Sequence, residues 1–175
     1  MKKNILSLFT RFAELCILLL FMGCEELTDE LDDSLAFKLE PAFQTISMNN
    51  EASISLDIQN LSQPIFAVSM QINYSSSVLS FNDSTGFGVG EFFGNQNVIF
   101  VQEENSIINI ALSIQQGNNE VDGSGTIGIL TFKGNSTGTS EIEISLSELH
   151  FFDSTGNEIS IGDFELVNAM ITVIS

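Results

Sequence analysis

From about Phe37 onward, apolar and polar residues alternate with a period of two. Ile54, Leu56 and Ile58 alternate with Ser53, Ser55, Asp57 and Gln59, and Phe66, Val68, Met70, Ile72 and Tyr74 with Ala67, Ser69, Gln71 and Asn73. Ile108, Ile110, Leu112 and Ile114 are interleaved with Asn109, Ala111 and Ser113; Ile142, Ile144 and Leu146 with Glu141, Glu143, Ser145 and Ser147. A last run sets Val167, Ala169, Ile171 and Val173 against Asn168, Met170 and Thr172. Half-buried strands give this pattern because successive side chains point to opposite faces. Gly, Asn, Asp and Ser cluster between the runs at Asn82–Gly88, Gly117–Gly125, Lys133–Gly138 and Asp153–Asn157, where turns are expected. Many short strands and no 3.6-residue period predict an all-β, two-sheet antiparallel sandwich. One strand breaks its own rule. Ile127 and Ile129 share one parity, Leu130 and Phe132 the other, so either Gly128 marks a bulge or the strand is buried on both faces.

The first 36 residues follow a different grammar. Met1-Lys2-Lys3 is a positive start, and Leu15–Met22 is an apolar run ending at Gly23-Cys24. A spanning helix needs about 20 apolar residues, and Glu14 interrupts this one, so residues 1–23 are expected to be a signal peptide. LFMGC resembles a bacterial lipobox, which would make Cys24 the lipidated first residue of the mature chain; ordinary secretion with cleavage nearby is the alternative. Residues 24–36 follow as an acidic tether, with six acids in the nine residues from Glu25 to Asp33. Residues 37–175 are the expected domain. Cys16 would leave with the signal, so no internal disulfide is expected and stability must come from burial.

Charge narrows the function further. The 175-residue chain carries 5 basic and 23 acidic residues. Without residues 1–23 only Lys38 and Lys133 remain against 22 acids, a net charge of −20. Such a chain repels phosphate, which excludes nucleic acid. Catalysis lacks parts: His150 is the only histidine, and no Gly-x-Ser-x-Gly elbow occurs. Asp83 and Asp153 each begin an Asp-Ser-Thr-Gly turn that is oxygen-rich, but the further ligands of an EF-hand loop are missing, so turn capping is the simpler role and no metal or cofactor is assigned. There is no Trp and a single Tyr, Tyr74, which the alternation places in the core, so the flat aromatic platform of most polysaccharide binders is absent. Phe92-Phe93 and Phe151-Phe152 are expected to be core or loop-covered.

The order of landmarks is similar to that of cohesin modules, which capture dockerin modules in cellulosome-type assemblies. An opening strand at Ala52–Asn60 is followed by Met70-Gln71-Ile72-Asn73-Tyr74 and Val78-Leu79-Ser80-Phe81. Then come Gly125-Thr126-Ile127-Gly128-Ile129-Leu130-Thr131-Phe132, Gly138-Thr139-Ser140-Glu141-Ile142 and the turn Asp153-Ser154-Thr155-Gly156. The resemblance spans Phe43–Val173. It implies a nine-stranded jelly roll, related to carbohydrate-binding modules, whose partner docks on the sheet holding Phe66–Tyr74, Asn97–Gln102, Ser106–Ile114 and Gly138–Leu146. The alternation names the side chains facing out of that sheet: Ser69, Gln71, Asn73, Asn109, Ala111, Ser113, Glu141, Glu143 and Ser145. Cohesins often carry Asp after the landmark Tyr; this chain has Ser75-Ser76-Ser77. The expectation is therefore a non-catalytic module, exported and lipid-anchored at the outer surface of a bacterial envelope, capturing a dockerin-like protein whose own loops need calcium. The alternatives are a carbohydrate-binding or adhesive surface module and a structural subunit of an envelope complex.

Overall fold

The computed structural model describes residues 34–175. The expected signal peptide, Cys24 and nearly all of the tether lie outside the described residues. Within them the period-two runs form strands in two packed sheets. Six segments make one sheet: β1 (Ala36–Glu40), β3 (Glu51–Ile65), β5 (Leu79–Phe81), β6 (Phe87–Val89), β9 (Val121–Gly134) and β13 (Glu165–Val167). The other holds eight: β2 (Phe43–Ser47), β4 (Ala67–Asn73), β7 (Asn97–Glu104), β8 (Ile107–Ile114), β10 (Gly138–Ile144), β11 (His150–Phe152), β12 (Glu158–Ile159) and β14 (Ala169–Ile174).

These fourteen segments reduce to nine strand paths plus the two-residue β12. β5 and β6 run in succession along one side of β9, as β10 and β11 do along one side of β4. The paths β1–β2 and β13–β14 each cross from one sheet to the other. The expected antiparallel sandwich needs one amendment. The first and last paths lie side by side, so β1 pairs parallel with β13 and β2 parallel with β14. All other pairings are antiparallel.

The inward rows hold the core. Ile54, Leu56 and Ile58 of β3 are buried, as are Val68, Met70 and Ile72 of β4, Ile108, Ile110, Leu112 and Ile114 of β8, and Ile142 and Ile144 of β10. At roughly 1.5–3 kcal/mol for each fully buried aliphatic side chain, rows like these supply the stability expected of them. Phe37 packs its ring 5.3 Å from Phe151 and 5.1 Å from Phe164, closing one end. Phe132 lies between Tyr74 and Phe81 near the other. Phe92 and Phe93 are both buried.

The misbehaving strand contains a bulge. Leu56 pairs with Gly128 but Asp57 with Thr126, leaving Ile127 as the extra residue. It flips the parity: Ile127 is inward before the bulge, Leu130 and Phe132 after it, and Ile129 emerges 43% exposed. Gly128 itself lies under the Phe87 ring, where a Cβ would come within 2.1 Å of a ring carbon.

Five sequence expectations shift. Leu146 does not extend the row of Ile142 and Ile144; it turns out in a 3-10 turn, Leu146–Glu148, and is 62% exposed. The turn cluster Gly117–Gly125 ends earlier, because β9 begins at Val121 and its glycines serve the irregular pairing with β3. Phe87 and Gly88 of the cluster Asn82–Gly88 belong to β6, and Lys133 and Gly134 of Lys133–Gly138 to the end of β9. The run Val167–Val173 is two strands in two sheets, broken at Asn168, whose Oδ1 accepts the Ile144 amide at 3.2 Å.

Candidate functional site

The eight-stranded sheet presents β7, β8, β4 and β10 side by side, the four strands expected to share a face. Their register sets rows across it. Gln71 pairs with Asn109 and Asn109 with Gln102; Ser69 pairs with Ala111 and Ala111 with Phe100; Asn73 lies between Glu143 and Ile107. Core partners occupy the alternate positions, so Ser69, Gln71, Asn73, Asn109, Ala111, Ser113, Glu141 and Glu143 all lie on the outer side. The glutamates are exposed and the rest half-buried between neighbouring strands. Ser145 has the same parity but sits just beyond β10, where its amide donates to the Gln71 carbonyl at 2.9 Å.

Small and amide side chains keep this face flat. Ala111, at its centre, leaves the floor open between Ser69 and Phe100. Within the described residues Ser69, Gln71, Asn73 and Ser113 make no side-chain hydrogen bond. Asn109 makes one long contact, Nδ2 to the Gln102 carbonyl at 3.5 Å. The face therefore offers unused donors and acceptors.

Two features were not named from the sequence. Val98 and Phe100 of β7 stand beside Ser113 and Ala111, 59% and 56% exposed, giving the polar face an apolar margin. The signal was present, but Val98-Ile99-Phe100-Val101 is a continuous apolar run whose two faces cannot be told apart without the register. The second is hydroxyl-rich. A cleft of about 420 Å³ is lined by Asn73, Tyr74, Ser75, Ser76, Ser77, Ser106, Glu141 and Glu143. The buried Ser140 hydroxyl accepts the Ser75 amide at 2.8 Å, and the Ser106 and Ser76 hydroxyls meet at 2.6 Å.

Tyr74 forms the cleft's inner wall. Its hydroxyl donates to Glu103 Oε1 at 3.2 Å, and the same oxygen accepts the Ser106 amide at 2.9 Å. Burial, reinforced by the Glu103 charge and hydrogen bond, pushes the Tyr74 hydroxyl up to about 12. It is a structural phenol at neutral pH. Being buried, it offers no sugar-stacking platform.

The remaining polar candidates act as braces. Asp153 Oδ1 accepts the Thr155 amide and hydroxyl at 2.9 and 2.7 Å and the Asn157 amide at 2.9 Å, and the Thr155 hydroxyl bond leads the effects that lower its pKa. Asp83 Oδ1 accepts the Glu103 amide at 2.8 Å, clipping its turn to β7. Both carboxylates, weighed as calcium ligands, thus serve as loop acceptors here. His150 Nδ1 lies 2.6 Å from Glu158 Oε1 across the β11–β12 hairpin.

The described residues thus form a two-sheet β-sandwich with a polar outer face on its eight-stranded sheet. The cohesin domain model matches residues 47–171, and the chain belongs to the cohesin family, whose members are non-catalytic protein-binding modules. Solved structures agree on the fold. The third cohesin of ScaC from Acetivibrio cellulolyticus, solved with the ScaB dockerin, is 16% identical, with a TM-score of 0.64 over 81% of this chain and 99% of that one. A non-cellulosomal cohesin from the archaeon Archaeoglobus fulgidus is 13% identical, with a TM-score of 0.62 over 81% and 92%. A type II cohesin from the Acetivibrio cellulolyticus cellulosome is 17% identical, with a TM-score of 0.62 over 79% and 94%. Among curated proteins none matches the chain in sequence.

Proposed function

We propose that this chain is a surface receptor that captures a dockerin-type protein on the outer face of β4, β7, β8 and β10. The observation that carries the reading is the unused hydrogen-bonding capacity of Ser69, Gln71, Asn73 and Ser113 on a flat face with an apolar margin at Val98 and Phe100. Interfaces of this kind combine an apolar centre with polar groups that need partners. A helical partner laid across the strands would put apolar side chains over Ala111 and Phe100. Its basic side chains would reach the cleft, where Glu141 and Glu143 stand over the Ser75–Ser77 hydroxyls. The match to dockerin-bound cohesins supports the same reading.

Titration calorimetry of the full chain against a panel of calcium-loaded dockerin modules tests it. Saturable binding by at least one dockerin, abolished by chelator, is expected. Silence across a broad panel would remove the proposal. The domain's place in the cell is proposed with it: export directed by residues 1–23, lipidation of Cys24, and display at the outer membrane surface with residues 24–36 as spacer. Metabolic labelling with a fatty-acid analogue, lost on Cys24→Ser, is the expected result; unchanged labelling would refute the anchor.

A further inference from the structure

The longest open edge among the described residues is β7, which pairs only with β8. Proteins normally blunt such edges with Lys, Pro, short strands or a covering loop. β7 is eight residues long, contains neither Lys nor Pro, and carries Val98-Ile99-Phe100-Val101 in its middle. The other edge segments are shorter: five residues in β2, three each in β5, β6 and β13, two in β12.

The hydrogen-bond phase shows which groups this edge leaves open. Beyond β7 the ladder continues with the Gln115 amide donating to the Gln96 carbonyl at 2.8 Å, so even-numbered residues of β7 face β8. The β4 side of β8 agrees: Ile114 donates to the Phe66 carbonyl, so even-numbered residues of β8 point to β4 and odd-numbered ones to β7. The N–H and C=O groups of Asn97, Ile99 and Val101 therefore point away from the sheet. Glu103 confirms the phase, because its outward N–H is taken by Asp83. That clip ends the open window. It runs from Asn97 to Val101, and Ile99, in its middle, is 40% exposed although its row faces the core.

We propose that two copies of this chain join antiparallel through this window, centred on Ile99, so that their docking sheets merge into one continuous sheet. The window is self-complementary about that centre. Ile99 meets Ile99 of the second copy, Val98 meets Phe100, and Asn97 meets Val101, closing three hydrogen-bonded pairs. Charge placement selects a second copy in this register. Glu103 and Glu104 come opposite the neutral Asn95 and Gly94, so the acidic end of one β7 never faces that of the other. Long-range repulsion between two chains of net charge −18 opposes the association, and salt screens it. Pairing therefore tightens with added salt, the reverse of a contact held by opposite charges.

Sedimentation velocity of the full chain carrying Cys24→Ser, over a concentration series at low and high salt, tests this. A monomer–dimer equilibrium that shifts toward dimer with salt is expected. Ile99→Pro deletes the outward N–H at the centre while leaving the β7–β8 ladder its donors, and should weaken the dimer at least tenfold. Circular dichroism checks its fold, and Ile99→Lys, which puts two cations face to face, repeats the test without altering the backbone. A monomer under all conditions, or a dimer indifferent to both substitutions, would overturn self-pairing. So would a monomer whose Ile99→Pro form loses its dockerin-type partner, because the edge would then belong to that partner. The dimer stands or falls independently of dockerin capture, which the calorimetry reads separately.

Discussion

On the outer face of the six-stranded sheet the polar side chains bond one another. Asp57 accepts Ser55 Oγ at 2.7 Å and Thr126 Oγ1 at 2.6 Å, and the Ser53 and Thr131 hydroxyls meet at 3.5 Å. On the outer face of β4 and β8, Ser69, Gln71, Asn73 and Ser113 reach no side-chain partner among the described residues, and Asn109 makes only its long contact to Gln102. Alternation alone makes the two faces alike, since both set small or polar side chains such as Ser, Asn, Gln and Thr between core residues. Their energetics differ. Groups bonded across strands contribute to the fold, whereas groups left to water are available to a partner at little cost to the fold. That difference gives the six-stranded sheet a structural role and leaves the other face free for the docking proposed above.

The comparison breaks most sharply under a bulky charge. Ala111→Arg would raise a long cation from the floor of the docking face, and capture of a dockerin-type partner should fall at least 100-fold, about 2.7 kcal/mol. Thr131→Arg on the opposite face should leave the affinity unchanged, and calorimetry on the two variants reads both. Stability should show the converse. Asp57→Ala strips acceptors from Ser55 and Thr126 and should cost about 1–3 kcal/mol in urea unfolding, whereas Gln71→Ala should stay within about 0.5 kcal/mol of the parent. Equal losses from both substitutions would erase the distinction between the faces. A smaller effect belongs to the acids: Glu141→Gln with Glu143→Gln should weaken capture about tenfold, through the association rate and with a flatter salt dependence.

Much of this was legible because the signal was periodic. Two-sided strands such as Ile108–Ile114 declare their faces, so all nine expected face residues share the outer parity of one sheet. Where periodicity fails, the sequence is mute. Val98-Ile99-Phe100-Val101 shows no alternation because an edge strand has no strict division between buried and exposed rows, and that hid the apolar margin. Leu146 kept the alternating pattern but left the strand, because it opens the three-residue 3-10 turn Leu146–Glu148. The crossings from β1 to β2 and from β13 to β14 are tertiary events. Nothing local distinguishes a strand that changes sheets from one that continues. The Ile127 bulge was half-visible, as a parity conflict whose extra residue only the pairing with β3 could identify.

Tyr74 gives the finest comparison, because it continues the core row just beyond β4 yet its hydroxyl reaches Glu103 of β7. Its folded pKa lies above the unfolded value of 10.0, at about 12, so the protonated form is favoured by folding. The stability this contributes is complete below pH 10. It declines between pH 10 and 12, where the unfolded chain ionises and the folded one resists, and is gone above about pH 12. As the chain's only tyrosine, with no Trp present, Tyr74 can be followed alone by tyrosinate absorbance. The expected titration midpoint in the native protein lies well above that of the protein in urea. Tyr74→Phe should remove the decline in stability across that window, at a small loss near neutrality from the missing bond to Glu103. An ordinary midpoint in the folded protein would mean that the phenol meets water, and that the Ser75–Ser77 cleft extends into the core beneath the docking face.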